Sequence, residues 1–268
     1  MYFSRSKNGS LMLLTGLSLL LVAIIGGLAL EIMGEKAMRN LSIILAFGGA
    51  YIMGLIFLHL VPEAFRFHSI AGTFVLIGFL VQIFLEYISK GLEHGHVHLS
   101  PSHNHSNVMP WAAIASLCLH AFLESMPLAE GAVAVNTMGH VHVHVHASTA
   151  IGSALFIGLA LHKLPVALVL MGLIKSTGAT RIVRWSLITF FGLMPLAGMC
   201  FYDIVIHSNA ISSGNIDTIL AATNGLVIGI LLHVSTTVLF ESGEGHSFNL
   251  RKLVATLLGL GIAYVTLA

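Results

Sequence analysis

The stretch Leu117–Val135, "LCLHAFLESMPLAEGAVAV", has the length and apolar content of a membrane crossing, yet it carries His120, Glu124, Pro127 and Glu130. About 20 apolar residues make one helical crossing of a hydrocarbon layer about 30 Å thick. Each ionisable side chain placed there costs about 2.5 to 3.5 kcal/mol on insertion scales. A segment holding an imidazole and two carboxylates therefore needs partners for them. It belongs inside a bundle of spans, not alone in lipid.

The rest of the chain agrees. Of its 268 residues, 56% are hydrophobic and 9% charged, with a mean hydropathy of +0.93, against about 25% charged residues in soluble domains. Eight apolar segments follow one another: Leu11 to Leu30, Leu41 to Val61, Ile70 to Ile88, Pro110 to Val135, Ser148 to Ile174, Val183 to Ile206, Ile219 to Phe240 and Leu250 to Ala268. The expected fold is an all-α polytopic membrane protein, a single domain over residues 1–268 with eight transmembrane helices. Arg5 and Lys7 precede the first segment as in a signal peptide, but its length and the lack of an A-x-A site make it a span. Cys118 and Cys200 lie in apolar segments and form no C-x-x-C pair, which argues against a disulfide framework or a thiolate metal site. A formal net charge of +1 leaves no footprint for nucleic acid.

Lys and Arg concentrate in cytoplasmic loops. With the N-terminus inside, those loops hold three charges, Arg5, Lys7 and Arg66. With it outside they hold eight, Lys36, Arg39, Lys90, Lys175, Arg181, Arg184, Arg251 and Lys252. Both termini are therefore expected outside. The loop 91–109, with His94, His96, His98, His103 and His105, becomes cytoplasmic, and the loop 138–147, with His140, His142, His144 and His146, becomes external. Such tracts of imidazoles read as auxiliary metal binders or as solvated linkers. The alternation in the second also suits a short strand.

Within the spans, His120 and Glu124 stand four residues apart, on one helical face, and can ligate one divalent ion together. His162 and Lys163 precede Pro165, and "LHLVPEAF" sets His59 four residues before Glu63. A proline inside a helix releases the carbonyl four residues back. That carbonyl is Leu123 for Pro127, Leu161 for Pro165 and Phe191 for Pro195, the last assigned to packing alone. Glu31, Glu63, Glu86, Glu241 and Asp203, near segment ends, and His233 take structural roles. Glu130 is left without one.

These motifs resemble the ZIP (Zrt/Irt-like) family of divalent metal transporters. In that family the fourth span carries His-Asn-x-x-Asp/Glu-Gly, where this chain has His120-Ala121-Phe122-Leu123-Glu124-Ser125. The fifth carries His/Gln-Glu/Asp-x-Pro and then an acid or His, where this chain has His162-Lys163-Leu164-Pro165-Val166. "LHLVPEAF" is similar to the ending of the family's second span. The resemblance covers the whole chain. It implies a bundle with inverted repeats, a homodimer in a plasma or inner membrane, and passage of zinc, or of Fe2+, Mn2+, Co2+ or Cd2+, toward the cytoplasm between spans four and five. The ligands so implied are His120, Glu124 and His162, with His59 or water as a fourth.

The departures concern the family's second metal site. Ala121, Lys163 and Met194 stand where that site takes Asn, an acid and Glu, and Val166 replaces an acid after the proline. A lysine ammonium there excludes a second cation by repulsion, so one ion is expected in place of two. A metal sensor or receptor without flux is the alternative reading. A metal-dependent hydrolase has neither H-E-x-x-H nor a nucleophile motif to support it.

Overall fold

The computed structural model describes residues 2–39, 41–67, 69–89, 109–129, 145–206, 216–241 and 250–267. Among the described residues the regular structure is entirely helical. The helices are α1 (Tyr2–Met33), the short α2 (Glu35–Met38), α3 (Leu41–Leu55), α4 (Val61–Phe67), α5 (Ala71–Ser89), α6 (Trp111–Glu124), α7 (Val145–Ser176), α8 (Arg181–Ile206), α9 (Ile216–Glu241) and α10 (Leu250–Leu267). Seven segments are long and apolar enough to cross a membrane, so the chain is an integral membrane protein.

The helices cover the apolar runs but reach beyond some of them, α1 starting at Tyr2 and not Leu11 and the second span running on to Phe67, and the fourth is interrupted. Its helix, α6, is only 14 residues long and ends at Glu124. Ser125 to Pro127 form a turn, the chain is helical again at Leu128 and Ala129, and residues 130–144 lie outside the described set. Pro127 therefore lies in a break between two helical stretches and not inside a continuous helix. The Leu123 carbonyl expected to be released accepts the Met126 N–H at 3.3 Å. Helices stop readily just before a proline, because its ring crowds the preceding residue out of the α region.

The second span holds a different irregularity. α3 continues through a π turn, Ile56–Leu60, into α4. Pro62 has no N–H for the Leu58 carbonyl, and widening the ladder by one residue absorbs that missing donor. His59 sits within the wide turn.

In lipid there is little hydrophobic gain in bringing two apolar helices together, so close approach through small residues has to drive packing. Glycine does this at each main contact. A Cβ on Gly26 of α1 would meet the Leu164 carbonyl of α7, and one on Gly198 of α8 would overlap the Phe122 carbonyl of α6. On the other side of the molecule, Gly78 of α5 lies against the Leu226 carbonyl of α9, Gly229 of α9 against the Val75 carbonyl of α5, and Gly259 of α10 against the Phe47 carbonyl of α3. The contacts sort the helices into two groups. One is α1, α6, α7 and α8; the other is α3, α5, α9 and α10.

The α5 sequence shows how the faces divide. Leu76, Leu80 and Phe84 repeat at four-residue steps and are exposed, as a lipid-facing stripe should be, while Gly78, Gln82, Leu85 and Ser89 form the buried stripe. At one end of the first group, Arg184 donates to Glu31 at 2.7 Å, tying α8 to α1. Glu31 thus has the structural role its place near a span end suggests.

Replacing Gly229 with valine should cost at least about 1 to 3 kcal/mol through overpacking against α5, lowering Tm in detergent by several degrees. Gly261→Ala, where a Cβ meets nothing within 4 Å, should leave Tm unchanged. Equal melting of both variants would refute the close-packing account.

Candidate metal centre

The buried face of α6 comprises Ala113, Ser116, Leu117, His120 and Glu124, so the four-residue spacing directs both polar side chains inward. His120 Nε2 lies 3.1 Å from Glu124 Oε2. α7 brings His162 from across the group, its ring meeting that of His120 edge to face with centroids 5.8 Å apart. One ligand atom from each of His120, Glu124 and His162 lies within 4.8 Å of the other two. All three residues are at most 3% exposed.

Two imidazole nitrogens and a carboxylate oxygen form a donor set that zinc and other borderline divalent ions accept. A tetrahedron with metal–ligand lengths of about 2.1 Å has edges of about 3.4 Å. The His120–Glu124 separation already suits such an edge.

His59, expected as a fourth ligand, is not part of this cluster. Its Nε2 faces Glu63 Oε2 at 3.2 Å, one turn along the same segment, and both side chains are partly exposed. The π turn has carried His59 into a separate local pair. Another intramembrane pair joins α9 to α5: His233 Nε2 lies 3.3 Å from Glu86 Oε2, with the His233 ring edge-on to Phe79. Sequence alone assigns both residues a structural role and names no partner; the structure pairs them across two helices.

Lys163, adjacent to His162, is 1% exposed. Its ammonium lies 3.9 Å from the centroid of the Phe191 ring and donates to the Phe191 carbonyl at 3.5 Å. That carbonyl is the one Pro195 leaves without a helical donor. Pro195 therefore does more than pack: it opens an acceptor on α8 for a lysine on α7. A cation over an aromatic face, when desolvated, gains about 2 kcal/mol, which with the carbonyl offsets part of the cost of burying the charge. Nearby, Ser125 donates to the carbonyls of both Phe122 and Pro195, fixing the end of α6 to α8.

Ala121 and Val166 are buried in one apolar cluster with Cys118, and Met194 packs against it. Pro165 lies within α7; the Leu161 carbonyl it releases sits 3.7 Å from the position a Cβ on Gly48 of α3 would take. The histidines at 94, 96, 98, 103, 105, 140, 142 and 144, like Glu130, lie outside the described residues. His146, assigned to the external loop, falls in the first turn of α7, so a strand does not extend that far.

Sequence reasoning missed Gln82. It is fully buried, and His120 Nδ1 donates to its Oε1 at 2.9 Å. An amide is not ionisable, so a survey of charged groups passes over it. The available signal was a polar side chain in "GFLVQIFLE", one turn before Glu86.

Neither a protein-family model nor a curated protein matches this chain.

Lys163→Met removes a buried charge and keeps the length of the side chain. Since apolar replacements of buried charges are commonly neutral or stabilising, Tm should hold or rise. A fall of more than about 5 °C, over about 1 kcal/mol, would instead make the ammonium a main tie between α7 and α8.

Proposed function

We propose that this protein is a ZIP-like permease that carries divalent cations, zinc foremost, across the membrane through a single-ion site formed by His120, Glu124 and His162. The observation that carries the reading is the convergence of those three ligand atoms, from two helices, inside a membrane-spanning bundle. An intramembrane cluster of ionisable groups is functional by default, and this one has the donor set of a metal site. The ion is substrate here, travelling toward the cytoplasm as in the family the motifs resemble.

Two observations support one ion in place of two. Two of the positions that supply the family's second site are apolar here, Ala121 buried and Met194 packed beside it, and Val166, where the family has the shared acid after the proline, is buried in the same cluster. The remaining one, Lys163, offers no anionic ligand; its Nζ rests against the Phe191 ring and carbonyl. Glu124 is then the one carboxylate among the three ligands, so the ion is held by less negative charge than in a two-metal cluster. Weaker hold favours release, which throughput requires.

Zinc flux into proteoliposomes should be present for the wild type and fall at least tenfold for His120→Ala combined with His162→Ala. Equal flux in the two sinks the proposal; bound zinc without flux in the wild type selects the sensor reading. Separately, Lys163→Asp should raise the bound stoichiometry from one ion to two, measured by calorimetry. A stoichiometry that stays at one removes the lysine from the account of ion number.

A further inference from the structure

Gln82 and His120 belong to different helix groups, yet they face each other at the metal centre. Two hydrogen bonds set that register. Ser116 Oγ on α6 donates to the Leu85 carbonyl on α5 at 2.7 Å, and one turn further along α6 His120 Nδ1 meets Gln82 Oε1 at 2.9 Å. The step is four residues forward on α6 and three back on α5, as antiparallel neighbours require. Gln82 is thus held opposite His120 by a contact independent of its own side chain. Both Ser116 and Gln82 are buried.

An amide oxygen only accepts, so the hydrogen must be on His120 Nδ1. In a neutral imidazole that leaves Nε2 as a lone pair, and Nε2 is the atom 3.1 Å from Glu124 Oε2. Two acceptors set so close repel unless a proton or a metal ion lies between them. With the opposite tautomer, Nε2–H would donate to the carboxylate, and the pair would satisfy itself as a hydrogen bond closed to metal.

We propose that Gln82 is a positioning residue that holds His120 as the Nδ1–H tautomer, keeping Nε2 and Glu124 open toward a divalent cation. The inference rests on the metal reading of the site but concerns a property of the ring that exists without metal. Outer partners of this kind alter metal affinity by about 10- to 100-fold when removed. Gln82 also lies on a helix that supplies no ligand, so the ring state of His120 depends on the contact between the two helix groups. If α6 were to shift along α5 by one turn, Nδ1 would lose its acceptor and Nε2 its enforced lone pair.

The test uses full-length protein labelled with 15N histidine, stripped of metal with chelator, in detergent. The His120 ring signals are identified by their loss in His120→Asn. In the wild type the ring should be protonated at Nδ1. Gln82→Met, of similar length without the amide, should shift the ring toward Nε2–H and weaken Co2+ binding about 10- to 100-fold, read from the cobalt absorption bands. Gln82→Glu, which keeps an oxygen acceptor, should retain the wild-type tautomer, and it stands in as the informative variant should Gln82→Met fail to fold. An Nε2–H ring in the wild type, an unchanged ring in Gln82→Met, or an Nε2–H ring in Gln82→Glu overturns the positioning role. A wild type that binds no cobalt, while Gln82→Met still shifts the ring, overturns the metal reading and leaves the tautomer clamp standing.

Discussion

Glu124 is a carboxylate at 2% exposure in a bundle whose outside is lipid, and the neighbourhood is arranged around that constraint. Water cannot reach it to supply hydrogen bonds, so its partners have to come from the chain or from an ion. His120 stands on the same face one turn away, His162 reaches in from α7, and Lys163 brings the compensating charge. The lysine in turn needs an acceptor, and Pro195 makes one available by releasing the Phe191 carbonyl. One buried acid thus accounts for residues on three helices.

Such a chain of dependences holds only if the helices stay in register to within an ångström or so. Lipid offers no hydrophobic pressure to keep them there. Backbone contact through glycine does, and it does so within each helix group: Gly26 under α7 and Gly198 under α6 on one side, Gly78 and Gly229 between α5 and α9 on the other. The cluster of His120, Glu124 and His162 belongs to the first group. That group meets the second both through α7 packed on α3 and through Ser116 and His120 bonded to α5, so the orientation of His120 depends on a surface between the two groups.

Much of the bundle was legible in advance because the bilayer imposes a length on every crossing. Seven of eight segments became long helices. The fourth is broken by a turn at Ser125 to Pro127, since hydropathy measures apolar content and says nothing of where a turn can form. The local part of the site was also legible: His120 and Glu124 share a face because four residues make about one turn. His162 was joined to them through a resemblance, and the structure brings its ring alongside. His59 entered the same way and was displaced by a π turn that no spacing rule foresees.

By itself the sequence determined that this chain crosses a membrane repeatedly, that a histidine and a carboxylate share one helical face, and that Pro165 and Pro195, though not Pro127, release the carbonyls four residues back. All three follow from distances of a few residues, where backbone geometry is nearly invariant. Which groups meet across helices was decided only by tertiary structure: Lys163 with the carbonyl Pro195 exposes, Gln82 with the far nitrogen of His120, and Ala121 with Val166 in an apolar cluster. Those meetings depend on how far one helix lies along another. That offset is set by small-residue contacts summed over whole helices, and no short segment encodes it.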